Sequence, residues 1–153
     1  MLNTTDLSKV KKEAEEFFRK MNFEVEISYP PQKDETVFIE VKTQEPQILI
    51  GEGGQTLNEI QHLLKAILRK KIIDPFFIDL DISDYKKKKA DYLREMARSV
   101  ADEVALGKQE KTLLPMSAYE RRIVHMELAD RSDVITESIG EDPERKIIIK
   151  PRP

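Results

Sequence analysis

Two short stretches of this chain hold residue types at spacings that could do chemistry. The first is Gly51-Glu52-Gly53-Gly54-Gln55, which follows the apolar run Ile48-Leu49-Ile50. Glycine reaches backbone angles that other residues avoid, and with no Cβ it lets a second backbone come close. A helix opening at this turn aims its free N–H groups and positive dipole end into the gap, a setting suited to an anion. Glu52 is the discordant member, because a carboxylate in the turn repels phosphate. The second stretch is Arg121-Arg122-Ile123-Val124-His125. Arg121 and His125 are four residues apart and so share one helix face. A guanidinium fork can hold phosphate bidentately, and an imidazole beside it can donate a further hydrogen bond. A bound phosphate would also favour the protonated ring.

Other chemistries find little support. The glycine turn has no strand leading into it and no Lys-Ser/Thr after it, so it is not a nucleotide-binding P-loop. The chain has two His and no Cys. It contains no pair of histidines at metal-ligand spacing and no serine in a nucleophile-elbow context. Neither catalysis, nor a metal, nor a cofactor is expected. Each stretch also has a plainer reading. The turn can be a packing connection, and the Arg-His pair an exposed charge beside a histidine satisfied by a backbone carbonyl. His62 reads as a surface residue, and Lys65, Arg69, Lys70 and Lys71 as charges suited to a helix C-terminus.

The elements that position these residues follow from periodicity. Asp6 or Thr5 can cap a helix over about 7–21, with Val10, Ala14, Phe17, Phe18 and Met21 on its apolar face. Phe23–Tyr29 alternates as a half-buried strand, Pro30-Pro31 and Asp34 turn the chain, and Val37–Val41 completes a hairpin. A short helix from Pro46 leads to the glycine turn. A long helix then runs to about Lys71, with Leu57, Ile60, Leu63, Leu64, Ile67 and Leu68 at helical spacing. Phe76–Ile82 alternates as a third strand. A second long helix begins near Tyr85 with four lysines, 86–89, read as a solvated run with one or two free for phosphates. Thr112–Met116 is an extended apolar piece, and Ser117-Ala118-Tyr119-Glu120 is a capping box opening the Arg-His helix. Strands over Val134–Ser138 and Lys146–Ile149 are joined by Gly140–Pro143.

The order α-β-β-α-α-β, with Gly51–Gly54 between its central helices, resembles a type II KH domain. The Arg-x-x-x-His spacing in Tyr119–His125, after Leu114-Pro115-Met116 and before Val134–Glu141, resembles the R-three-H domain. Together they resemble the bacterial Jag family, also called SpoIIIJ-associated proteins. The expected fold is α/β (α+β), in two small tandem domains. Residues 1–83 form a type II KH domain and residues 84–153 an R-three-H domain of helices packed on a small sheet. The resemblance implies a non-catalytic cytoplasmic protein that binds single-stranded RNA or ssDNA. KH domains grip single strands by such a loop. The implied nucleic-acid-binding residues are Gly51, Glu52, Gly53, Gly54, Gln55, Arg121, Arg122 and His125, and tethering two sites on one chain raises effective affinity. The resemblance also implies a small KH-domain protein partner. The family commonly carries an additional N-terminal domain, whereas this chain starts at the KH helix. The alternative is a protein–protein adaptor with a degenerate KH loop, acting in cell-envelope or division regulation.

Composition bounds these readings. The chain has 153 residues, 36% charged and 7% aromatic, so its core rests on Ile, Leu and Val. Without cysteine it has no disulfide or thiolate metal site, which fits a reducing compartment. No run approaches the roughly 18 apolar residues of a membrane span, and the N-terminus lacks the apolar core of a secretion signal. The net charge of −3 is unevenly spread. Residues 1–84 carry 11 Lys/Arg against 16 Asp/Glu, and residues 85–153 carry 15 against 13. Electrostatic grip on phosphate is therefore expected mainly in the second half.

Overall fold

The computed structural model describes residues 1–153 and separates into two compact units, Met1–Lys86 and Lys87–Pro153. In the first unit the elements are α1 (Thr4–Lys20), β1 (Val25–Ser28), β2 (Thr36–Thr43), α2 (Pro46–Ile50), α3 (Gln55–Arg69) and β3 (Phe77–Ile82). Helix α1 begins earlier than the sequence pattern suggests. Its cap is Asn3, not Asp6 or Thr5: the Asn3 side chain accepts from Asp6 N at 2.8 Å and donates to Asp6 Oδ2 at 3.0 Å. This exchange stabilises the first turn and leaves Asp6 buried inside the helix.

The three strands form a sheet in the order β1-β2-β3. β1 and β2 are the expected antiparallel hairpin, with Val25 opposite Thr43. β3 joins the other side of β2 in parallel, with Thr36 opposite Phe77 and Val41 opposite Ile82. A parallel neighbour needs a crossover, and α2, the glycine turn and α3 supply it. The apolar stripes then meet. Val10, Ala14 and Phe18 of α1 and Leu57, Ile60, Leu64 and Leu68 of α3 share one core with Val37, Ile39, Val41, Ile78, Leu80 and Ile82 of the sheet. Leu63, on the predicted apolar face of α3, instead stands 55% exposed.

The second unit comprises α4, β4 (Lys111–Thr112), α5 (Ala118–Leu128), β5 (Val134–Ile139) and β6 (Lys146–Pro151). Helix α4 runs Tyr85–Gly107 and so starts two residues before the unit boundary. Its stripe of Leu93, Ala97, Ala101 and Val104 packs with Val124 and Leu128 of α5 and Val134, Ile147 and Ile149 of the sheet. The sheet order is β4-β6-β5, antiparallel throughout. Arg131, just after α5, holds Asp133 through two hydrogen bonds of 2.9 and 2.6 Å and Asp102 of α4 through a third of 2.6 Å. That bidentate bond to Arg131 is the main reason the Asp133 carboxyl is lowered to about 2.

Candidate nucleic-acid interface

The glycine turn is a single 3₁₀ turn, Glu52–Gly54, between α2 and α3. Gly51, Gly53 and Gly54 have φ of +72°, +60° and +81°, all in the region that favours glycine. Their reasons differ. A Cβ on Gly51 would stand 2.2 Å from Thr56 Oγ1, and one on Gly54 would stand 2.9 Å from the Tyr85 ring. Both glycines are therefore required by packing within the unit. A Cβ on Gly53 would meet nothing within 4 Å. Gly53 thus faces open space, at the tip of the turn.

Three amides at the turn are bonded locally. Gly51 N donates to Gln47 O at 3.1 Å, Gly54 N to Gly51 O at 3.3 Å, and Gln55 N to Glu52 O. Glu52 and Gly53 lie just ahead of the α3 N-terminus. The Glu52 side chain is exposed and has no ion-pair partner. Gln55 opens α3, where its side chain donates to Glu59 Oε1 at 3.2 Å. Of the lysine run at 86–89, Lys86 is bound to Asp79 at 2.6 Å and Gln61 at 3.0 Å, while Lys87 and Lys88 are exposed.

Helix α5 is positioned by the predicted capping box. Ser117 Oγ accepts from Glu120 N at 3.3 Å, and Glu120 Oε2 accepts from Ser117 N at 2.8 Å. Arg121 and His125 do share a face, but that face looks inward. The Arg121 side chain is only 8% exposed; its Nη1 donates to Met116 O at 2.7 Å and to Asp142 Oδ1 at 3.2 Å. The expectation of an open fork is corrected here. Arg121 lies one turn ahead of buried Val124 and Leu128, on the stripe that packs against the sheet.

His125 stands between two β5 hydroxyls, with Thr136 Oγ1 2.7 Å from Nδ1 and Ser138 Oγ 2.8 Å from Nε2. Burial first, and the Arg121 charge second, lower its pKa below 6.5, so the neutral ring is favoured. A neutral imidazole has one donor and one acceptor nitrogen, and rotatable hydroxyls satisfy both. Thr136 and Ser138 are two apart on β5, and that alternation toward α5 is the signal by which the sequence could have exposed them. Arg145 is a further basic group that the sequence reading did not single out. Its carbonyl accepts from Met116 N at 3.1 Å, and its Nε is buried without a hydrogen-bond partner.

Arg122 behaves oppositely to Arg121: it is exposed and forms no ion pair. The acidic neighbours on α5 are engaged elsewhere. Glu120 closes the capping box and lies 3.7 Å from Lys89, and Glu127 meets Arg98 at 2.7 Å. No cluster of three or more His, Cys, Asp or Glu is placed to hold a metal ion. No helix is long and apolar enough to cross a membrane.

Fold and site together define a tandem protein, a KH unit carrying a glycine turn and an R-three-H unit carrying an inward Arg-His pair. Sequence comparison agrees: the KH domain family model matches residues 8–90 and the R-three-H domain model residues 91–151. The RNA-binding protein KhpB of Clostridium symbiosum is 35% identical over 136 residues, which cover 88% of this chain and 61% of that protein. KhpB of Lactiplantibacillus plantarum is 34% identical over 67% of this chain and 32% of its own length. KhpB of Bacillus subtilis is 30% identical over 74% and 56%. The chain belongs to the Jag (KhpB) family of KH-plus-R-three-H proteins. It spans less than two thirds of the length of these relatives.

Proposed function

We propose that the chain binds single-stranded RNA and carries out no reaction on it. The observation that carries this reading is Gly53: a positive-φ glycine at an open tip, followed at once by a helix N-terminus. A sugar-phosphate segment can approach there, and the amides and dipole favour its charge. The names of the KhpB relatives, as RNA-binding proteins, support the same reading. In the second unit Arg122 offers the direct contact to phosphate. Arg121 and His125 hold α5 on its sheet so that Arg122 is presented from a fixed element. Gly51 and Gly54 shape the first site, and Gln55 and Glu52 border it.

The test is fluorescence anisotropy of a labelled random single-stranded RNA at two salt concentrations. Gly53→Asp is the sharpest variant, since Asp tolerates the left-handed region better than most residues and its Cβ has room. It adds a carboxylate to the tip, and affinity should fall about tenfold. Glu52→Lys should raise affinity. If neither variant changes binding, the turn does not touch RNA. If the wild type binds no RNA at low salt, the reading fails and a protein-docking role takes its place, which the exposed Glu52 and the acidic balance of residues 1–84 would suit.

A further inference from the structure

Helix α5 turns its polar signature inward and shows two of its bulky apolar side chains to solvent. Tyr119 is 63% exposed and Met126 66% exposed, with exposed Arg122 between them. Residues i, i+3 and i+7 lie on one side of a helix, so the three form a single strip. We propose that this strip is a base-stacking platform for single-stranded RNA, with a base on the Tyr119 ring, Met126 extending the apolar surface and Arg122 taking the adjoining phosphate. The inference rests on the RNA-binding reading above and assigns that function a second, aromatic contact.

Three observations favour this occupant. The charge is right: the α5 carboxylates Glu120 and Glu127 are held by Ser117, Lys89 and Arg98, so Arg122 is the uncompensated charge of the strip. The chemistry is right, because an aromatic face beside a guanidinium is how sequence-tolerant proteins hold unstacked bases. The support is rigid: the capping box fixes the start of α5, and Arg121 and His125 bind its opposite side to Met116, Asp142, Thr136 and Ser138. A protein partner would need more. A stable interface buries roughly 800 Å² on each side, beyond what three side chains supply.

The chain has no tryptophan, so Tyr119→Trp installs a single indole reporter. Its emission is followed while oligouridine RNA is added, and again with an abasic ribose-phosphate oligomer of equal length. Quenching by the oligouridine alone is the expected result. Tyr119→Ala should weaken binding by roughly tenfold, with Tyr119→Phe retaining it and the thermal melt unchanged in both. Oligouridine binding seen by anisotropy, with unmoved indole emission and a fully active Tyr119→Ala, would overturn the platform and leave the RNA-binding reading intact. A wild type that binds no RNA would overturn both. An indole shift that depends on protein concentration without RNA would assign the strip to a second copy of the chain, and so overturn the platform too.

Discussion

A histidine wedged between two hydroxyls titrates differently from one in water. For His125 the folded pKa lies below the unfolded value near 6.5, because burial and Arg121 both oppose the charged ring. Between those two values the unfolded chain binds more protons than the folded one, so stability rises with pH there and is lost as pH falls through the lowered folded value. His125→Gln should flatten this part of the curve, measured as urea midpoints between about pH 7 and pH 5. Arg121 and Arg122 make a second pair of predictions despite being neighbours. Arg121→Ala deletes a buried guanidinium with its hydrogen bonds to Met116 O and Asp142 and should cost about 2–3 kcal/mol of stability in a denaturant titration. Arg122→Ala should leave the melt unchanged and weaken RNA binding. The i, i+4 relation of Arg121 and His125 was legible in the sequence, but its direction was not. Position 121 falls on the stripe of Val124 and Leu128, and a charged residue on an apolar stripe reads as surface until its buried partners are known. Of those partners Met116 O is local, five residues back, but Asp142 is 21 residues on and is brought to Arg121 only by folding.

Among the elements, order and type followed closely from periodicity and capping. The capping box at Ser117 and the Pro46 start of α2 are where the pattern placed them. What escaped was information that does not reside in a local pattern. Alternation marked Phe76–Ile82 as a strand but could not say that it pairs with β2, or in parallel. β4 is two exposed residues long and has no alternation to read; it is a strand because Ile148 and Ile149 of β6 lie beside it. The turn between α2 and α3 was legible as glycine-rich, but not that its glycines have unequal duties. That inequality predicts unequal costs. Gly51→Ala drives a methyl to 2.2 Å from Thr56 Oγ1 at a positive φ, whereas Gly53→Ala carries only the backbone strain. Thermal melts should rank Gly51→Ala well below Gly53→Ala, which should lose about 1–2 kcal/mol.

Taken whole, the chain is an acidic protein with an uneven charge distribution: 16 acidic against 11 basic residues up to position 84, and 13 against 15 beyond it. On the proposed function, such a chain cannot rely on a broad basic surface to hold RNA. Its affinity should come from a few contacts, so neutralising about three or four phosphates gives a log–log salt slope near roughly −2 to −3 for single strands. A steeper slope would mean that a larger share of the exposed lysines takes part. The parallel pairing of β2 with β3 has one more consequence, in time instead of space. Thr36 cannot meet Phe77 until the chain between them has been laid out, and closing so long a loop is slow compared with forming a hairpin or a helix. The turn at Gly51–Gly54 lies inside that loop. Refolding followed by RNA capture should therefore regain activity with the rate of sheet closure, later than the helical signal, so that an incompletely folded chain holds no RNA at this site.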